Sequence, residues 1–213
     1  MTDDHITIAA VFLAGGHGRR MQADGQPADK PLRLLAGRSL LSHAIDAVRP
    51  QVAAMVLNAN GDPARFAAFG LEVIADDMPD HPGPLAGILS GMRWAASRGF
   101  ADVLSVPTDT PFLPGDLVTR LNTARRNAGT PLACAGSGGW THPVIGLWPV
   151  SLADTLAEAL RDGMRKIDRW TAQHGCATAD FEIAGHDPFF NVNTPDDLAE
   201  AEKIAELVWG ESA

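Results

Sequence analysis

Short apolar runs alternate along the chain with segments whose apolar residues recur at helical spacing. The first pattern predicts buried strands, and the second predicts amphipathic helices. In the first half, predicted strands span residues 6–13, 52–57, 71–75 and 101–106, and predicted helices span residues 40–48, 63–69, 85–97 and 114–127. This regular alternation indicates a mostly parallel sheet with helices on both faces.

The second half contains more predicted helix than the first. Strands are predicted over residues 130–135, 143–148 and 177–183, and helices over residues 152–160 and 164–174. The final helix has a clear start signal, because Thr194 can act as N-cap, Pro195 follows at the first helical position and Asp197 lies in the first turn. The predicted fold class is α/β, a single three-layer α/β/α domain over residues 1–213 with a Rossmann-like sheet.

Composition limits the classes of partner. The chain has 213 residues and a net charge of −9, from 17 basic and 26 acidic side chains. This balance argues against a general nucleic-acid binder or a protein that binds anionic membranes. Two cysteines without metal-ligand spacing, no signal-peptide pattern and no apolar run long enough to span a bilayer predict a cytoplasmic protein.

The first predicted strand ends in a glycine-rich turn that contains Gly15, Gly16 and Gly18. Glycines let a backbone turn sharply and approach a ligand, so the freed N–H groups can surround a phosphate chain. Arg19 and Lys30 follow, and side chains of this type neutralise phosphate charge. The turn therefore predicts a nucleotide-binding loop, although an ordinary strand-to-loop turn has the same local appearance.

The glycine spacing excludes two familiar nucleotide loops. It does not match the P-loop pattern, and Met21 stands where the third glycine of a dinucleotide fingerprint would be. An acidic protein that binds an anionic nucleotide must concentrate positive charge locally, and Arg20 and Arg33 extend the basic cluster. We also expect a metal ion to assist.

Polar or glycine-rich loops follow the predicted strands of this sheet. In open α/β sheets, ligands bind beyond the carboxyl ends of the strands. Asn58 follows the second strand and Asp76 the third, and both residue types also favour simple turns. The remaining loops cover residues 83–87, 107–113 and 191–195. Because these loops fall at one end of successive strands, they predict a shared site.

Asp109 is the strongest single candidate for a functional side chain. It follows a strand and lies between Pro107 and Pro111, which stiffen the loop. A carboxylate at a strand end suits Mg²⁺, which takes few protein oxygens and completes its shell with water and substrate phosphates. We therefore predict that Asp109 binds Mg²⁺; a turn aspartate without a ligand is the alternative.

Together these segments resemble the molybdenum cofactor guanylyltransferases, small nucleotidyltransferases with a glycosyltransferase-A-like fold. The resemblance extends from Ile8 to Ala201. It rests on Leu13-Ala14-Gly15-Gly16, Gly18-Arg19-Arg20-Met21, Lys30-Pro31, Asn58 with Asn60, Gly83-Pro84-Leu85-Ala86-Gly87, Pro107 with Asp109 and Pro111, His142-Pro143, and Asn191 with Asn193-Thr194-Pro195. The order of these segments is more specific than any one of them.

The resemblance implies transfer of GMP from GTP to the terminal phosphate of molybdopterin, with release of pyrophosphate and with Mg²⁺ as cofactor. It implies a nucleotide-binding half over residues 6–115 and an acceptor-binding half over residues 116–213. Other proteins of molybdenum cofactor synthesis and molybdoenzyme chaperones are implied as partners. The implied nucleotide-site residues are Leu13, Ala14, Gly15, Gly16, Gly18, Lys30, Asn58, Asp76 and Asp109.

Within that set the implied roles differ. Asp109, Lys30 and Arg19 would carry catalysis, through the metal and through contacts to the phosphates. The loops around Gly83, His142 and residues 191–194 would shape the pterin side. The chain departs from the family pattern after Met21, where residues 22–29 lengthen the approach to Lys30 and add two aspartates.

Other functions compete with this interpretation. A sister enzyme would use CTP on molybdopterin, or would transfer a nucleotide to a sugar phosphate. Those relatives more often have Leu-Ala-Ala-Gly where this chain has Leu13-Ala14-Gly15-Gly16, and a missing side chain in the turn makes room for guanine. A binding module without catalysis is a second alternative, and a glycine-rich oxidoreductase is a third.

Overall fold

A computed structural model describes residues 8–15, 29–78 and 83–210. Its centre is a seven-stranded sheet with strand order β5-β4-β1-β6-β8-β7-β9. A separate two-stranded hairpin pairs β2 with β3. The strands are β1 (Ile8–Leu13), β2 (Leu34–Leu35), β3 (Arg38–Ser39), β4 (Ala54–Asn58), β5 (Glu72–Ile74), β6 (Asp102–Pro107), β7 (Leu132–Ser137), β8 (Trp140–Pro149) and β9 (Cys176–Phe181).

Helices cover both faces of this sheet. They are α1 (Leu40–Val48), α2 (Pro84–Ser97), α3 (Leu117–Ala128), α4 (Ala153–Arg161), α5 (Ile167–His174) and α6 (Pro195–Trp209). Buried side chains of α1 and α3 form one core with the sheet, and those of α2, α4 and α5 form a second core. A smaller apolar cluster joins α6 to the β2–β3 hairpin and Phe112. The three-layer α/β/α prediction is therefore confirmed.

The direction of the strands is mixed only around β8. Strand β1 is parallel to β4 and β6, β4 is parallel to β5, and β7 is parallel to β9. Strand β8 is antiparallel to both of its neighbours, β6 and β7. The chain leaves β1 toward β4 and β5, then returns to place β6 on the other side of β1. This reversal opens a crevice at the carboxyl ends of β1 and β6.

Most predicted elements are present, but several boundaries were wrong. Helix α3 begins at Leu117 rather than at Pro114, because a hydrogen-bonded turn from Pro114 to Leu117 precedes it. Helix α5 begins at Ile167 rather than at residue 164, since Gly163 leaves α4 with a φ of 89° that a helix does not accept. The segment Pro63–Phe69 is a 3-10 helix.

The β2–β3 hairpin was not predicted. Its turn contains Ala36 and Gly37, both with positive φ, and Ala36 is an unusual residue for that conformation. The backbone N–H of Ala36 donates to the Glu202 carboxylate at 3.1 Å, which ties the hairpin to α6. This hydrogen bond from α6 stabilises the turn. The residue types of the turn alone do not predict it.

The division into halves at residue 115 stays a prediction. Strands from both sides of that position nevertheless share one sheet, because β6 pairs with β8 over four residues beginning with Asp102 and Pro149. Within the described ranges, no helix has the length and apolar character that crossing a membrane requires.

Candidate active site

The candidate site lies at the carboxyl ends of β1, β4 and β6. The N–H of Ala14 donates to the Asn58 carbonyl at 2.9 Å, which extends the β1–β4 ladder by one residue beyond the strand. The Thr108 hydroxyl donates to the Leu13 carbonyl at 3.4 Å on the other side of β1. These two hydrogen bonds therefore hold the ends of the three strands together.

Lys30 reaches this edge from the segment before the β2–β3 hairpin. Its ammonium donates to Oδ2 of Asp109 and to Oδ1 of Asn193, the latter at 2.5 Å. The side chains of Lys30 and Asp109 are only 14% and 16% exposed, so the pair is largely shielded from water. The backbone N–H of Val192 also donates to the Asp109 carbonyl at 2.9 Å. Three distant segments thus meet beside the crevice.

The second carboxylate oxygen of Asp109 is free for a ligand. Oδ1 is buried and has no hydrogen-bond partner among the described residues. An unpaired buried carboxylate oxygen is costly unless a cation or donor completes its environment. No cluster of three His, Cys, Asp or Glu side chains occurs in the described ranges. Mg²⁺ needs only one or two carboxylates when substrate phosphates and water complete its shell, so Asp109 fits that ion.

A second polar network follows β4 and β5. The Asn58 amide donates to Oδ1 of Asp76 at 3.0 Å, and the Asn60 amide donates to Oδ2 of Asp76 at 2.7 Å. The backbone N–H of Asp76 donates in return to Oδ1 of Asn60 at 3.0 Å. These reciprocal bonds hold the Asp76 carboxylate on the β4–β5 side of the edge. The structure therefore brings together the two predicted residues, and it adds Asn60.

Helix α2 packs tightly behind the Asn58 side chain. A Cβ on Gly87 would lie 2.3 Å from Oδ1 of Asn58 and 2.9 Å from Cδ2 of Leu13, so only glycine allows this contact. Gly83 precedes the helix with a φ of 129°, a conformation that side chains rarely adopt. Gly87 is therefore required by close packing, and Gly83 is required by its backbone conformation. Both glycines also allow the start of α2 to approach the site.

The loop before α6 combines capping with a contact to Lys30. Thr194 accepts from the Asp197 backbone N–H at 3.1 Å, and the Asp197 carboxylate accepts from the N–H groups of Asn193 and Thr194, each at 2.8 Å. Partial burial opposes the ionised form of Asp197, but these hydrogen bonds prevail and lower its pKa. The capping box fixes the Asn193 backbone, and its side chain remains free to bind Lys30.

Asp29 does not add free negative charge to the site. Its carboxylate pairs with the Arg65 guanidinium at 3.0 Å, and Arg65 also donates to the Asn60 carbonyl at 2.9 Å. The same guanidinium lies over the Phe66 ring, 4.6 Å from its centroid. The end of the lengthened segment is thereby tied to the loop after β4, directly before Lys30.

A third polar group lies at the β7–β8 hairpin. The Ser137 hydroxyl is 2.8 Å from Nε2 of His142 and donates to the Asp187 carboxylate at 2.8 Å. The His142 ring lies 5.0 Å from the Phe189 ring, and burial lowers the pKa of His142 although the nearby Asp187 charge opposes this. Sequence reasoning named His142 but missed Ser137 and Asp187, which had no local signal beyond lying near strand ends.

Four predicted residues of the glycine loop lie outside the described residues: Gly16, Gly18, Arg19 and Arg20. Gly15 is described, and no described atom lies within 4 Å of the place its Cβ would occupy. The structure therefore brings together Leu13, Ala14, Gly15, Lys30 and Asp109 around the crevice, with the Asn58–Asp76 pair beside them. Their individual roles toward nucleotide and metal stay predictions.

Comparison with known proteins agrees with this geometry. The model of the MobA-like NTP transferase domain matches residues 10–177. The chain is 52% identical over 211 residues to the molybdenum cofactor guanylyltransferase of Bradyrhizobium sp. (strain ORS 278), covering 97% of this chain and 98% of that protein. It is 53% identical over 205 residues to the protein of the same name from Rhodopseudomonas palustris (strain BisB5), covering 95% and 96%.

Solved structures agree on the fold. Molybdopterin-guanine dinucleotide biosynthesis protein A from Archaeoglobus fulgidus superposes with a TM-score of 0.69 at 26% identity, covering 94% of this chain and all of that one. The protein named putative glucose-1-phosphate thymidylyltransferase from Bacillus anthracis has a TM-score of 0.73 at 12% identity, covering 93% of this chain and 95% of that one, and shows the fold alone. The chain belongs to the molybdenum cofactor guanylyltransferase family.

Proposed function

We propose that this protein transfers GMP from GTP to the terminal phosphate of molybdopterin and releases pyrophosphate, with Mg²⁺ as cofactor. The observation that carries the proposal is the meeting of Lys30, Asp109 and Asn193 beside the crevice between β1 and β6. A fixed cation next to a carboxylate with a free oxygen is what a polyphosphate substrate and its metal require. Membership in the family supports the choice of GTP and molybdopterin.

The reaction needs little acid–base chemistry from the protein. An oxygen of the acceptor phosphate attacks the α-phosphorus of GTP in line, a new P–O bond forms, and the bond to the pyrophosphate oxygen breaks. The attacking phosphate is already ionised near neutral pH, so no strong general base is required. Bound Mg²⁺ would lower the repulsion between the phosphates, with Asp109 as its protein ligand.

Charge on the leaving pyrophosphate is stabilised by positive groups of the chain. Lys30 is held at the edge by two oxygen partners, so its ammonium is already oriented when the triphosphate arrives. We assign Arg19 the role of a second phosphate contact and Gly16 and Gly18 the role of shaping the loop, all on the family resemblance.

The nucleoside contacts the edge on the β4–β5 side. Leu13, Ala14 and Gly15 provide backbone groups for the base, with no described atom within 4 Å of the Cβ position of Gly15, and the Asn58–Asp76 pair provides fixed polar atoms. A carboxylate held by two amide donors keeps lone pairs for hydrogen bonds from a base or a ribose hydroxyl. We place the enzyme in the cytoplasm, where other proteins of molybdenum cofactor synthesis and molybdoenzyme chaperones are its proposed partners.

The test is direct measurement of the dinucleotide product. The purified protein is incubated with molybdenum-loaded molybdopterin and GTP, CTP, ATP or UTP, with and without Mg²⁺, and the products are separated and identified. We expect the guanine dinucleotide and pyrophosphate from GTP with Mg²⁺. Product from CTP instead would overturn the base assignment, and activity in metal-free buffer would overturn the role of Mg²⁺.

The second candidate function is transfer to a sugar phosphate, the alternative that the sequence leaves open for this loop pattern. The same assay with sugar 1-phosphates in place of molybdopterin tests it. Absence of transfer to molybdopterin from every nucleotide, together with transfer to a sugar phosphate, would replace the proposed function.

A further inference from the structure

Trp140 stands apart from the other tryptophans of the chain. Its side chain is 77% exposed, whereas Trp94, Trp148 and Trp170 are at most 8% exposed. Trp140 is the first residue of β8 and directly follows the Gly138–Gly139 turn of the β7–β8 hairpin. An indole exposed to this extent adds little to the core and leaves its flat face open to a planar partner.

The hairpin points toward the edge of the sheet that carries the site. Strand β8 is antiparallel to β6, so β8 begins at the end where β6 finishes and where Asp109 follows. In the β7–β8 ladder, Trp140 is opposite Ser137 and His142 is opposite Ala135. Directly opposed residues share a face, as do alternate residues of one strand. Trp140, His142 and Ser137 therefore lie on the same face.

The turn holds Trp140 in a defined place. Gly138 and Gly139 have φ values of 56° and 81°, which fit a tight two-residue hairpin turn. A Cβ on Gly138 would lie 2.9 Å from Cδ1 of Ile183, so the Ile183 side chain packs directly against the turn. Ile183 is itself 47% exposed. The indole thus stands on a supported hairpin end rather than on a free loop.

A short segment connects this hairpin to the reacting residues. Asp187 accepts from the Ser137 hydroxyl and from the Phe189 N–H at 2.9 Å, which anchors the segment beside the hairpin. At its other end, Val192 donates to the Asp109 carbonyl and Asn193 accepts from Lys30. Asp187 and Asn193 are six positions apart in the chain, so the two anchors are at most about 20 Å apart. An extended small molecule can reach from one toward the other.

We propose that Trp140 stacks against the flat face of the pterin ring of the acceptor and is a specificity-determining residue for that substrate. The inference rests on the proposed function and adds a named contact to it. An indole gains from a planar conjugated partner through dispersion and quadrupole attraction, and a sugar phosphate offers no such ring. The neighbouring Ser137, His142 and Asp187 provide polar groups beside the ring. Trp140 takes no part in nucleotide binding.

Steady-state kinetics with each substrate varied separately test this assignment. Stacking that is equal in the ground state and transition state changes KM and leaves kcat unaltered. We expect Trp140→Ala to raise the KM for molybdopterin about 10-fold, with kcat and the KM for GTP within about twofold of wild type. Trp140→Phe retains an aromatic face, so its KM for molybdopterin should stay within about threefold of wild type.

Leu207→Ala is the matched control, because Leu207 is 57% exposed on the last turns of α6 and lies about 20 Å along that helix from Asn193. Its kinetics should equal those of wild type. A second measurement is the quenching of tryptophan fluorescence by molybdopterin without nucleotide, which should be strong in the wild type and much weaker in Trp140→Phe.

The outcomes separate the inference from the proposed function. Wild-type transfer with an unchanged molybdopterin KM in Trp140→Ala would reject the stacking contact and leave the function standing. An unchanged KM together with slower delivery of product to an apo-molybdoenzyme would reassign Trp140 to protein docking. No wild-type transfer to molybdopterin would reject both.

Discussion

Lys30 and Asp109, 79 positions apart in the chain, form an ion pair whose ammonium is also bound by Asn193, 163 positions from Lys30. The three residues come from the segment before the β2–β3 hairpin, the loop after β6 and the loop before α6. Burial of the pair strengthens the attraction, because little water remains to screen it. The contact holds the ammonium of Lys30 and the carboxylate of Asp109 in one place.

Asp109→Asn should reduce kcat for GMP transfer by at least about 100-fold, the scale seen when one preorganised electrostatic group is lost from an active site. The amide keeps the shape and an acceptor for Lys30, but it lacks the charge that Mg²⁺ requires. Turnover at saturating GTP and Mg²⁺ is the measurement. Loss of the charge from this shielded pair should also lower the melting temperature, so both proteins are assayed at a temperature where each is folded.

Asp46→Asn serves as the matched control for that variant. Asp46 also pairs with a basic residue, Arg38, but both side chains are 53% exposed and neither contacts Lys30 or Asp109 in a described hydrogen bond or ion pair. Its turnover should equal that of wild type. If Asp109→Asn were as active as Asp46→Asn, the metal assignment would be wrong.

Gly15→Ala should shift the base preference from GTP toward CTP without unfolding the protein. The described residues offer no steric obstacle, since none of their atoms lies within 4 Å of the added Cβ, and the substitution produces the Leu-Ala-Ala-Gly pattern of other nucleotidyltransferases. We expect the ratio of kcat/KM for GTP to kcat/KM for CTP to fall about 10-fold. This is the size of effect that one added methyl group has on discrimination between substrates.

Gly91→Ala is the informative comparison for Gly15→Ala. A Cβ on Gly91 would lie 2.6 Å from Val11 in the core, so that variant should lose stability by about 1–3 kcal/mol through overpacking. Base preference and thermal unfolding are measured for both proteins. An unaltered GTP to CTP ratio in a folded Gly15→Ala enzyme would show that the open space above Gly15 does not receive the base.

Asp102→Ala should lower the free energy of unfolding by about 3 kcal/mol, because it leaves the Arg125 guanidinium without its partner in a largely buried position. Arg125 donates two bonds to Asp102, at 2.6 and 2.8 Å, and their side chains are 17% and 11% exposed. Chemical denaturation measures the loss. The double variant Asp102→Ala/Arg125→Ala should recover part of it, since no unpaired charge remains.

Asp102 begins β6 and Asp109 follows its far end, so the same variant should keep normal kcat at temperatures where it is folded. The exposed Arg38–Asp46 pair provides the comparison, with an expected loss below about 1 kcal/mol. Equal losses in Asp102→Ala and Asp46→Ala would mean that burial does not matter for this ion pair.

Acidification should destabilise the fold partly through His43. Burial lowers the pKa of His43, whose Nε2 bonds the Leu35 carbonyl at 2.9 Å and whose ring stacks on Trp209 at 4.3 Å. Below about pH 6.5 the unfolded chain therefore binds a proton that the folded state resists, and the free energy of unfolding falls as the pH decreases. The neighbouring Arg38 opposes protonation, whereas Asp46 and Glu202 favour it.

His43→Gln removes this titration while keeping a donor for the Leu35 carbonyl. The free energy of unfolding is measured by urea denaturation from pH 7.5 down to pH 5, and the slopes against pH are compared. The variant should show a flatter dependence than wild type over this window, whatever its absolute stability. Identical slopes would exclude His43 as a source of the acid sensitivity.

Much of the fold could be predicted because each strand and helix has a recognisable sequence pattern within a few neighbouring residues. Apolar periodicity located β1, β6 and α2 to within about two residues, and the residues Thr194, Pro195 and Asp197 marked the start of α6. The β2–β3 hairpin escaped prediction, because the bond from Ala36 to Glu202 that supports its turn comes from a distant helix. Local patterns carry no information about such a partner.

The residues of the candidate site also fall into two groups, those with a local sequence signal and those without one. Asp109, Lys30 and Asn58 were identified from residue type and position at strand ends, and their roles toward substrate stay predictions. Ser137 and Asp187 were missed, since a serine and an aspartate near strand ends are common in turns. Their relation to His142 exists only where β7, β8 and the segment before α6 come together.

The sequence by itself determined the order of strands and helices, the glycine turn after β1 and the set of polar loops at strand ends, because these depend on neighbouring residues and on backbone preferences. The tertiary structure alone decided which of those loops touch. It joined Lys30 to Asp109 and Asn193, left one oxygen of Asp109 buried without a partner among the described residues, and placed Trp140 in solvent beside the β7–β8 turn. Contacts between distant segments follow from how the helices and the sheet pack, and no local pattern encodes that packing.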